Sequence, residues 1–306
     1  MIRTLTLSPA LDYSVVVNGE FTLGAINRTV KEEYEAGGKG INVSIVLKRL
    51  GLDSIALGFL SGFTGDYIEK LLKQEGLTTD FVHTPGVTRI NVKVEGEPET
   101  AINGQGPRVT EQELSELVAK IDQSQDGDVL IMSGQIPPTL PSDTYEKILA
   151  RLAGRKVLTV VDSTGKLLTD ALKYHPFLIK PNSDELGEIV GKPMDTEEAI
   201  IAGAKELQGL GARNVLVSRG GDGSILVDEN GRSYIKKAMH APVVSTVGAG
   251  DSMVAGFIYG YLRTKDYERS LELASSTGSA TAFSKGLATR EKVLAILKTM
   301  YGRDAI

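Results

Sequence analysis

Three small residues followed by an acid form the run Gly248-Ala249-Gly250-Asp251, which precedes a helical pattern. Successive backbone amides at a helix start can converge on an anion, and the helix dipole favours negative charge there. Asp251 therefore allows two interpretations, an N-cap carboxylate or a general base beside amides that stabilise an oxyanion, and the sequence leaves both open. The small residues that follow, Ala255, Gly256 and Gly260, predict that this helix packs closely on a sheet.

A second glycine-rich run, Gly37-Gly38-Lys39-Gly40-Ile41-Asn42, opens another helical pattern. It is not a dinucleotide fingerprint, because Val43 stands where glycine or alanine is required. It is not a phosphate loop either, because Gly40 follows the Gly-Lys pair where Ser or Thr is required. What remains is a tight turn, or a helix start whose amides, Lys39 and Asn42 suit a polyhydroxylated or anionic ligand.

Two further turns join predicted elements. The run from Ser218 to Gly223 lies between two strand patterns and is either a hairpin turn or a support for a nucleotide. Residues 180–185 end a strand and begin a helix, where Asn182 and Glu185 have the spacing of a capping box. A functional role for that pair would be to organise Mg²⁺ and phosphate, since oxygen ligands suit that ion.

The elements that must position these residues follow a regular alternation. Buried strands are predicted at 4–7, 54–59, 128–132, 157–161, 177–180 and 214–217. Helices are predicted at 40–50, 65–75, 111–122, 142–151, 183–190, 196–208, 249–263, 270–283 and 290–299. This order predicts an α/β fold with a doubly wound, mainly parallel sheet flanked by helices, which binds ligands beyond the carboxyl ends of its strands.

Two segments, 11–35 and 88–102, break the alternation with extended patterns and no helix. We expect one domain over residues 1–306, with antiparallel lid strands inserted at about 12–35 and 88–103. Apolar residues on these strands would be exposed on one face: Val15, Val17, Ile90 and Val92. Because unprotected strand edges and apolar faces are usually covered, the sequence predicts a homodimer through the lids.

Composition excludes several classes of protein. The 306 residues carry 34 Lys+Arg against 39 Asp+Glu, a formal charge of -5, without the basic block of a nucleic-acid binder. Cysteine is absent, which excludes thiolate metal sites and cysteine nucleophiles. No signal-peptide pattern and no run of about 18 apolar residues occur, so we expect a cytoplasmic protein without membrane association.

Taken together, these motifs resemble the ribokinase-like carbohydrate kinases of the PfkB type. The N-terminal pattern of that family is matched by residues 37–44, its C-terminal pattern by residues 245–251 with Ala255-Gly256, and its strand-end motif by residues 182–185. Within the family, residues 8–12, 88–93 and 100–107 are most similar to the 1-phosphofructokinase group. A tagatose-6-phosphate kinase is the alternative.

The resemblance implies an ATP- and Mg²⁺-dependent kinase that phosphorylates D-fructose 1-phosphate at its 6-hydroxyl to give D-fructose 1,6-bisphosphate. It implies that Asp251 is the base, assisted by the amides of Gly248, Ala249 and Gly250. It assigns sugar binding to Asp12, Gly38, Lys39, Asn42, Arg89, Lys93 and Ser133. It assigns the nucleotide to Lys180, Asn182, Ser218, Arg219, Gly220, Gly221, Asp222, Gly223, Gly250, Asp251, Gly278 and Ser279. Mg²⁺ would be held by Glu185 and Asn182 through water.

Alternation along 89–93 places Arg89, Asn91 and Lys93 on one strand face. Together with Lys39, these cations are expected to form the seat of a phosphorylated sugar, and a solvated strand face is the plain alternative. Two other classes of function remain open. A catalytically silent sugar-phosphate or nucleotide sensor on the same fold need not keep an acid beside the amides, and a dehydrogenase lacks its glycine fingerprint here.

Overall fold

The computed structural model describes residues 1–96 and 100–304, so parts of the predicted lid segment 88–103 and of the predicted domain 1–306 lie outside the described residues. Its large sheet has the strand order β14-β13-β12-β11-β10-β9-β1-β4-β5, and β6 also pairs with β4. The strands are β1 (Ile2–Thr6), β4 (Ile55–Leu60), β5 (Thr78–Thr79), β6 (Val82–His83), β9 (Val129–Ser133), β10 (Leu158–Asp162), β11 (Leu178–Ile179), β12 (Asn214–Ser218), β13 (Ser224–Val227) and β14 (Ser233–Lys236). Pairing is parallel from β5 to β12 and antiparallel from β12 to β14.

Helices cover both faces of this sheet, which confirms the doubly wound prediction. They are α1 (Lys39–Leu50), α2 (Gly62–Gln74), α3 (Glu111–Ile121), α4 (Thr144–Leu152), α5 (Gly165–Ala171), α6 (Ser183–Val190), α7 (Glu197–Gly209), α8 (Ala249–Thr264), α9 (Tyr267–Ala282) and α10 (Arg290–Tyr301). Alternate residues of β9 separate the two apolar cores: Leu130 and Met132 pack with α3 to α7, and Val129 and Ile131 pack with α1, α8, α9 and α10.

The sequence missed the shortest elements, namely α5, β14 and the two-residue strands β5 and β6, because such segments carry too few residues for a periodic pattern. The expected packing of Gly256 and Gly260 on the sheet is wrong. A Cβ at Gly256 would lie 2.5 Å from Thr277 Oγ1, and one at Gly260 would lie 2.8 Å from Ser270 Cα, so both glycines face α9.

The second sheet has four strands in the order β3-β2-β7-β8. They are β2 (Ala10–Val17), β3 (Thr29–Gly37), β7 (Ile90–Glu95) and β8 (Thr100–Asn103). The pairs β2–β3 and β7–β8 are antiparallel as predicted, but the central pair β2–β7 is parallel. Both central strands begin near the carboxyl ends of neighbouring strands of the large sheet. β2 follows β1, and the amide of Thr88, just before β7, donates to the carbonyl oxygen of Ser61, at the end of β4.

The expected exposure of apolar lid residues needs correction. Val15 is buried at 6% exposure, and Val17, Ile90 and Val92 are half-buried. Ile90 packs against the apolar cluster that contains Leu11 and Ile41. The exposed apolar side chains of the small sheet are instead Val30, Tyr34 and Ile102.

Candidate active site

The start of α1 is fixed by the end of β1. Gly38 occupies the N-cap with φ 134°, in the region that favours glycine. The Ile41 amide donates to Thr6 Oγ1 at 3.1 Å, and a Cβ at Gly40 would lie 2.7 Å from the Leu5 carbonyl oxygen. The helix start therefore sits directly against the carboxyl end of the strand, where Asn42 projects from its first turn.

The start of α8 meets that of α1 through two side chains. Gly248 caps the helix in the left-handed conformation, with φ 76°, and Asp251 lies in the first turn at 5% exposure. The Asn42 amide nitrogen donates to Asp251 Oδ2 at 2.8 Å. Since Gly248 holds the N-cap and no side chain caps the helix, the N-cap interpretation of Asp251 is wrong.

An acid that the sequence reasoning missed completes this cluster. Asp162 ends β10 at 2% exposure, and its carboxylate lies 3.3 Å from Lys180 Nζ and 3.5 Å from Lys39 Nζ. A Cβ at Gly250 would lie 3.0 Å from Lys180 Nζ, so this lysine reaches the start of α8. The available signal was an acid directly after the predicted strand 157–161, at the carboxyl end where ligands bind.

The electrostatics of the cluster suit proton transfer. The pKa of Asp251 is raised to about 6, first by burial and second by the neighbouring Asp162 charge, which together outweigh the hydrogen bond from Asn42 and the charges of Lys39 and Lys180. Burial works to lower the pKa of Lys39, but the charges of nearby acids, Asp162 first, outweigh it and the pKa is raised. Lys39 thus stays cationic beside an acid whose pKa is about 6.

The capping box at the start of α6 is present in both directions. Glu185 donates its amide to Asn182 Oδ1 at 2.7 Å, and its own Oε2 accepts the Asn182 amide at 2.8 Å. Asn182 also pairs with Ser218 in an isolated parallel bridge, so the predicted nucleotide turn begins beside it. The structural interpretation of the pair is confirmed, and its role toward Mg²⁺ stays a prediction.

The other predicted nucleotide residues, apart from those at the starts of α6 and α8 and Lys180, lie in a turn and on a helix. Ser218 ends β12 and residues 219–223 form the turn of the β12–β13 hairpin, where Gly220, Gly221 and Asp222 make one turn of 3-10 helix and Arg219 binds Glu197 at 3.0 Å. Gly223 has φ 97° and lies against the Lys236 carbonyl. Gly278 and half-buried Ser279 lie on α9, and a Cβ at Gly278 would lie 2.5 Å from Met253 Cγ. The close packing of α9 on α8 therefore explains why residue 278 is a glycine.

The lid contributes a carboxylate held by two donors. Asn91 Nδ2 donates to Asp12 Oδ1 at 2.9 Å, and Lys93 Nζ lies 2.8 Å from Asp12 Oδ2. A Cβ at Gly37 would lie 2.8 Å from the Asp12 carboxylate, which therefore rests on the turn that leads into α1. Arg89 donates instead to the carbonyl oxygens of Ser8 and Pro9, at 3.1 and 3.3 Å.

The three cations expected to share one phosphate seat have different neighbours: Lys39 faces Asp162, Lys93 faces Asp12, and Arg89 faces backbone carbonyls. Ser133 ends β9 opposite Asp162 in register, and its buried hydroxyl has no hydrogen-bond partner among the described residues. The structure thus brings together Lys39, Asn42, Lys180, Gly250 and Asp251 around Asp162, with Asp12 above the adjoining turn.

Comparison with known proteins decides the family. The model of the pfkB family of carbohydrate kinases matches residues 10–293. The chain belongs to this family. It is 43% identical to a 1-phosphofructokinase of Bacillus subtilis, over 97% of each chain, and 41% identical to a D-tagatose-1-phosphate kinase of Bacillus licheniformis, over 96% of each. The solved phosphofructokinase-2 of Escherichia coli in complex with fructose-6-phosphate matches with a TM-score of 0.91 at 26% identity, over 99% of each chain.

Membership of the family makes the protein a phosphotransferase that acts on a sugar hydroxyl, with ATP as the phosphate donor that such a kinase implies. It excludes the dehydrogenase hypothesis. In residues 1–96 and 100–304, no helix combines the length and the apolar character needed to cross a bilayer. Within the same residues, no three acidic or histidine side chains gather as a metal site.

Proposed function

We propose that this protein transfers the γ-phosphoryl group of ATP to the 6-hydroxyl of D-fructose 1-phosphate, which gives D-fructose 1,6-bisphosphate and ADP. The observation that carries the proposal is the buried Asp251 at the start of α8, held by Asn42 and flanked by two lysines. The 1-phosphofructokinase name of the 43% identical relative supports the choice of sugar.

Asp251 would accept the proton of the attacking hydroxyl. A base whose pKa is about 6 is ionised at neutral pH and still takes up a proton effectively. The first amides of a helix lack partners within it, so the backbone from Gly248 to Gly250 can donate to the transferring phosphoryl oxygens, with the Ala249 amide exchanging the Thr246 carbonyl oxygen, 3.2 Å away, for the phosphoryl group. Lys39 and Lys180 add positive charge at the same place, which is where stabilisation of phosphoryl transfer is needed.

The sugar would lie between the lid and the start of α1. Asp12, Gly38 and Asn42 would bind its hydroxyls, Ser133 would contribute its unpaired hydroxyl, and Arg89 would face the 1-phosphate. Arg89 suits a phosphate because, among the described residues, its hydrogen-bond acceptors are neutral carbonyls and not a carboxylate.

The nucleotide would lie along the hairpin turn at residues 218–223 and the nearby face of α9. The side-chain oxygens of Asn182, which follows β11 and bridges to Ser218 at the end of β12, and of Glu185, in the first turn of α6, match the chemistry that Mg²⁺ prefers, and phosphates and water normally complete its coordination. We therefore assign these two residues to Mg²⁺ through water. The ion would offset negative charge on the ATP phosphates.

A specific observation favours a second substrate. The relative named D-tagatose-1-phosphate kinase is almost as similar as the B. subtilis enzyme. Tagatose differs from fructose only in its configuration at C4, so one site could accept either 1-phosphate. The alternative that the relatives support is therefore tagatose 1-phosphate, whereas the sequence motifs suggested tagatose 6-phosphate.

A substrate panel tests the proposal. ADP release would be measured with fructose 1-phosphate, tagatose 1-phosphate, tagatose 6-phosphate, fructose 6-phosphate, ribose and adenosine. We expect the highest kcat/KM with fructose 1-phosphate, and a higher value with any other acceptor would overturn the choice of sugar. The Asp251→Asn variant should lose between about 100-fold and 10,000-fold in kcat while it still binds ATP. Wild-type turnover in this variant would remove Asp251 as the base.

We further propose that two copies associate through their lids and that the enzyme acts in the cytoplasm. Support for association comes from the exposed apolar side chains of the small sheet, Val30, Tyr34 and Ile102. An absence of cysteine fits a reducing compartment. Cell fractionation with an antibody would test the location.

A further inference from the structure

Both oxygens of the Asp12 carboxylate are held by side chains of the neighbouring lid strand. Asp12 on β2 is paired in register with Asn91 on β7, and Lys93 lies two residues further along the same face. The side-chain amide of Asn91 donates to Asp12 Oδ1, and the ammonium of Lys93 donates to Asp12 Oδ2. The carboxylate is therefore fixed in rotation before any ligand arrives.

This contact changes what Lys93 offers to an anion. Its ammonium lies 2.8 Å from a carboxylate, and both side chains are mostly buried, with 23% and 15% exposure. A close ion pair is neutral as a whole, so it attracts a phosphate far less than a free cation does. Arg89, directly before β7, donates to carbonyl oxygens and so is not held in a comparable ion pair.

The position of Asp12 explains why its orientation matters. The carboxylate rests on the backbone of Gly37, where a Cβ would come within 2.8 Å of it, and Gly37 leads directly into the start of α1. Each oxygen still has a lone pair that no donor occupies. If Asp12 is to accept hydrogen bonds from sugar hydroxyls here, its carboxylate must keep this orientation and not rotate.

We propose that Lys93 is a positioning residue for the sugar site, which acts by holding Asp12 and is not a ligand of the sugar phosphate. This rests on the proposed function, because Asp12 is assigned there to the sugar hydroxyls. It replaces the expectation that Lys39, Arg89 and Lys93 share the phosphate. Asn91 is the neutral partner in the same arrangement.

A double-mutant cycle tests the proposal. The variants are Lys93→Met, Asp12→Asn and the two together, assayed for KM and kcat with fructose 1-phosphate at saturating ATP. We expect Lys93→Met to raise KM about tenfold in the wild-type background and less than about threefold in the Asp12→Asn background, because its effect passes through Asp12. Equal effects in both backgrounds would overturn the proposal. If Asp12→Asn is too slow to assay, the Kd for fructose 1-phosphate serves in its place.

A second measurement separates positioning from phosphate binding. Inorganic phosphate would be used as a competitor of fructose 1-phosphate, and its inhibition constant measured in Lys93→Met and Arg89→Met. We expect the constant to stay within about twofold of wild type in the first and to rise about tenfold or more in the second. A rise in Lys93→Met as large as that in Arg89→Met would contradict the proposal.

Two controls exclude a folding defect. Lys93→Arg should recover most of the lost affinity, because the guanidinium can still donate to Asp12. Lys31→Met removes a lysine from the same sheet, where it pairs with exposed Glu33, and should leave KM unchanged. If the substrate panel selects another sugar, the same cycle is run with that sugar, so a wrong substrate and a wrong role for Lys93 give different results.

Discussion

At the scale of single residues, Asp251 and Asp162 form two acids with opposite tasks. Asp251 is buried with a pKa raised to about 6, while Asp162 is surrounded by two lysines and adds negative charge beside it. One acid, Asp162, thus raises the pKa of the other, Asp251, which is the proposed base. An enzyme built this way should lose activity as pH falls through about 6, where Asp251 takes up a proton.

Replacing Asp162 by asparagine should shift that loss of activity. Removal of the negative charge favours ionised Asp251, so the acid limb of kcat/KM should move to lower pH. The measurement is a pH profile of kcat/KM for wild type and Asp162→Asn with the same substrate, whose own ionisation is common to both. Asp170→Asn, at an exposed pair with Lys166, is the control. A limb that stays in place or moves to higher pH would show that Asp162 does not influence the base.

The residues that sequence reasoning found are those whose signal is local. Glycine runs at helix starts and the spacing of Asn182 and Glu185 are visible in a few consecutive positions. Asp162 was missed because its partners come from α1 and from the end of β11, far away in the chain. The pairing of Lys93 with Asp12 depends on the register between two lid strands, which composition and alternation do not determine.

At the scale of elements, helices α8 and α9 pack closely because Gly256 of α8 has no side chain. A Cβ at Gly256 would lie 2.5 Å from Thr277 Oγ1 and 2.7 Å from the Leu273 carbonyl oxygen. Gly256→Ala should therefore reduce the free energy of unfolding by about 1–3 kcal/mol, because the helices must separate to admit the methyl group. Denaturant unfolding followed by circular dichroism measures this.

The matched control for that substitution is Gly209→Ala, at the end of α7, where an added Cβ has no neighbour within 4 Å. Alanine favours a helix over glycine, so this variant should be as stable as wild type or slightly more stable. Equal stability of both variants would mean that the α8–α9 contact relaxes without cost.

Long periodic elements could be predicted from the sequence, since each of the main strands and helices carries its own pattern of burial. The parallel pairing of β2 with β7 could not. Each half of the lid looks like an antiparallel hairpin, and only the departure of both strands from the same edge of the large sheet brings them side by side.

At the scale of the whole molecule, association through the lid is the testable feature. Ile102 is 63% exposed on the small sheet. We expect a dimer at micromolar concentration and a monomer for Ile102→Glu, because a carboxylate would have to be buried in the contact. Light scattering after size exclusion measures the mass, and Leu210→Glu, at an exposed apolar site after α7, should remain dimeric. A monomeric wild type would contradict the proposal.

We also propose that residues 1–306 form one domain, since the two strand pairs of the lid are interleaved with the elements of the large sheet. The formal charge of -5 gives no general attraction for phosphorylated ligands. Attraction must come from local groups, the helix-start amides and the lysines around Asp162.

The parallel β2–β7 pair joins the two halves of the lid into one sheet, which four chain passages connect to the core. Arg89 lies at the meeting point of three of them: it binds Ser8 and Pro9 ahead of β2, precedes β7 itself, and packs against Gly104 after β8. A movement of the small sheet relative to the large one would change the contacts that Arg89 makes with these passages. A phosphate bound at Arg89 would therefore be coupled to the position of the small sheet through the same side chain.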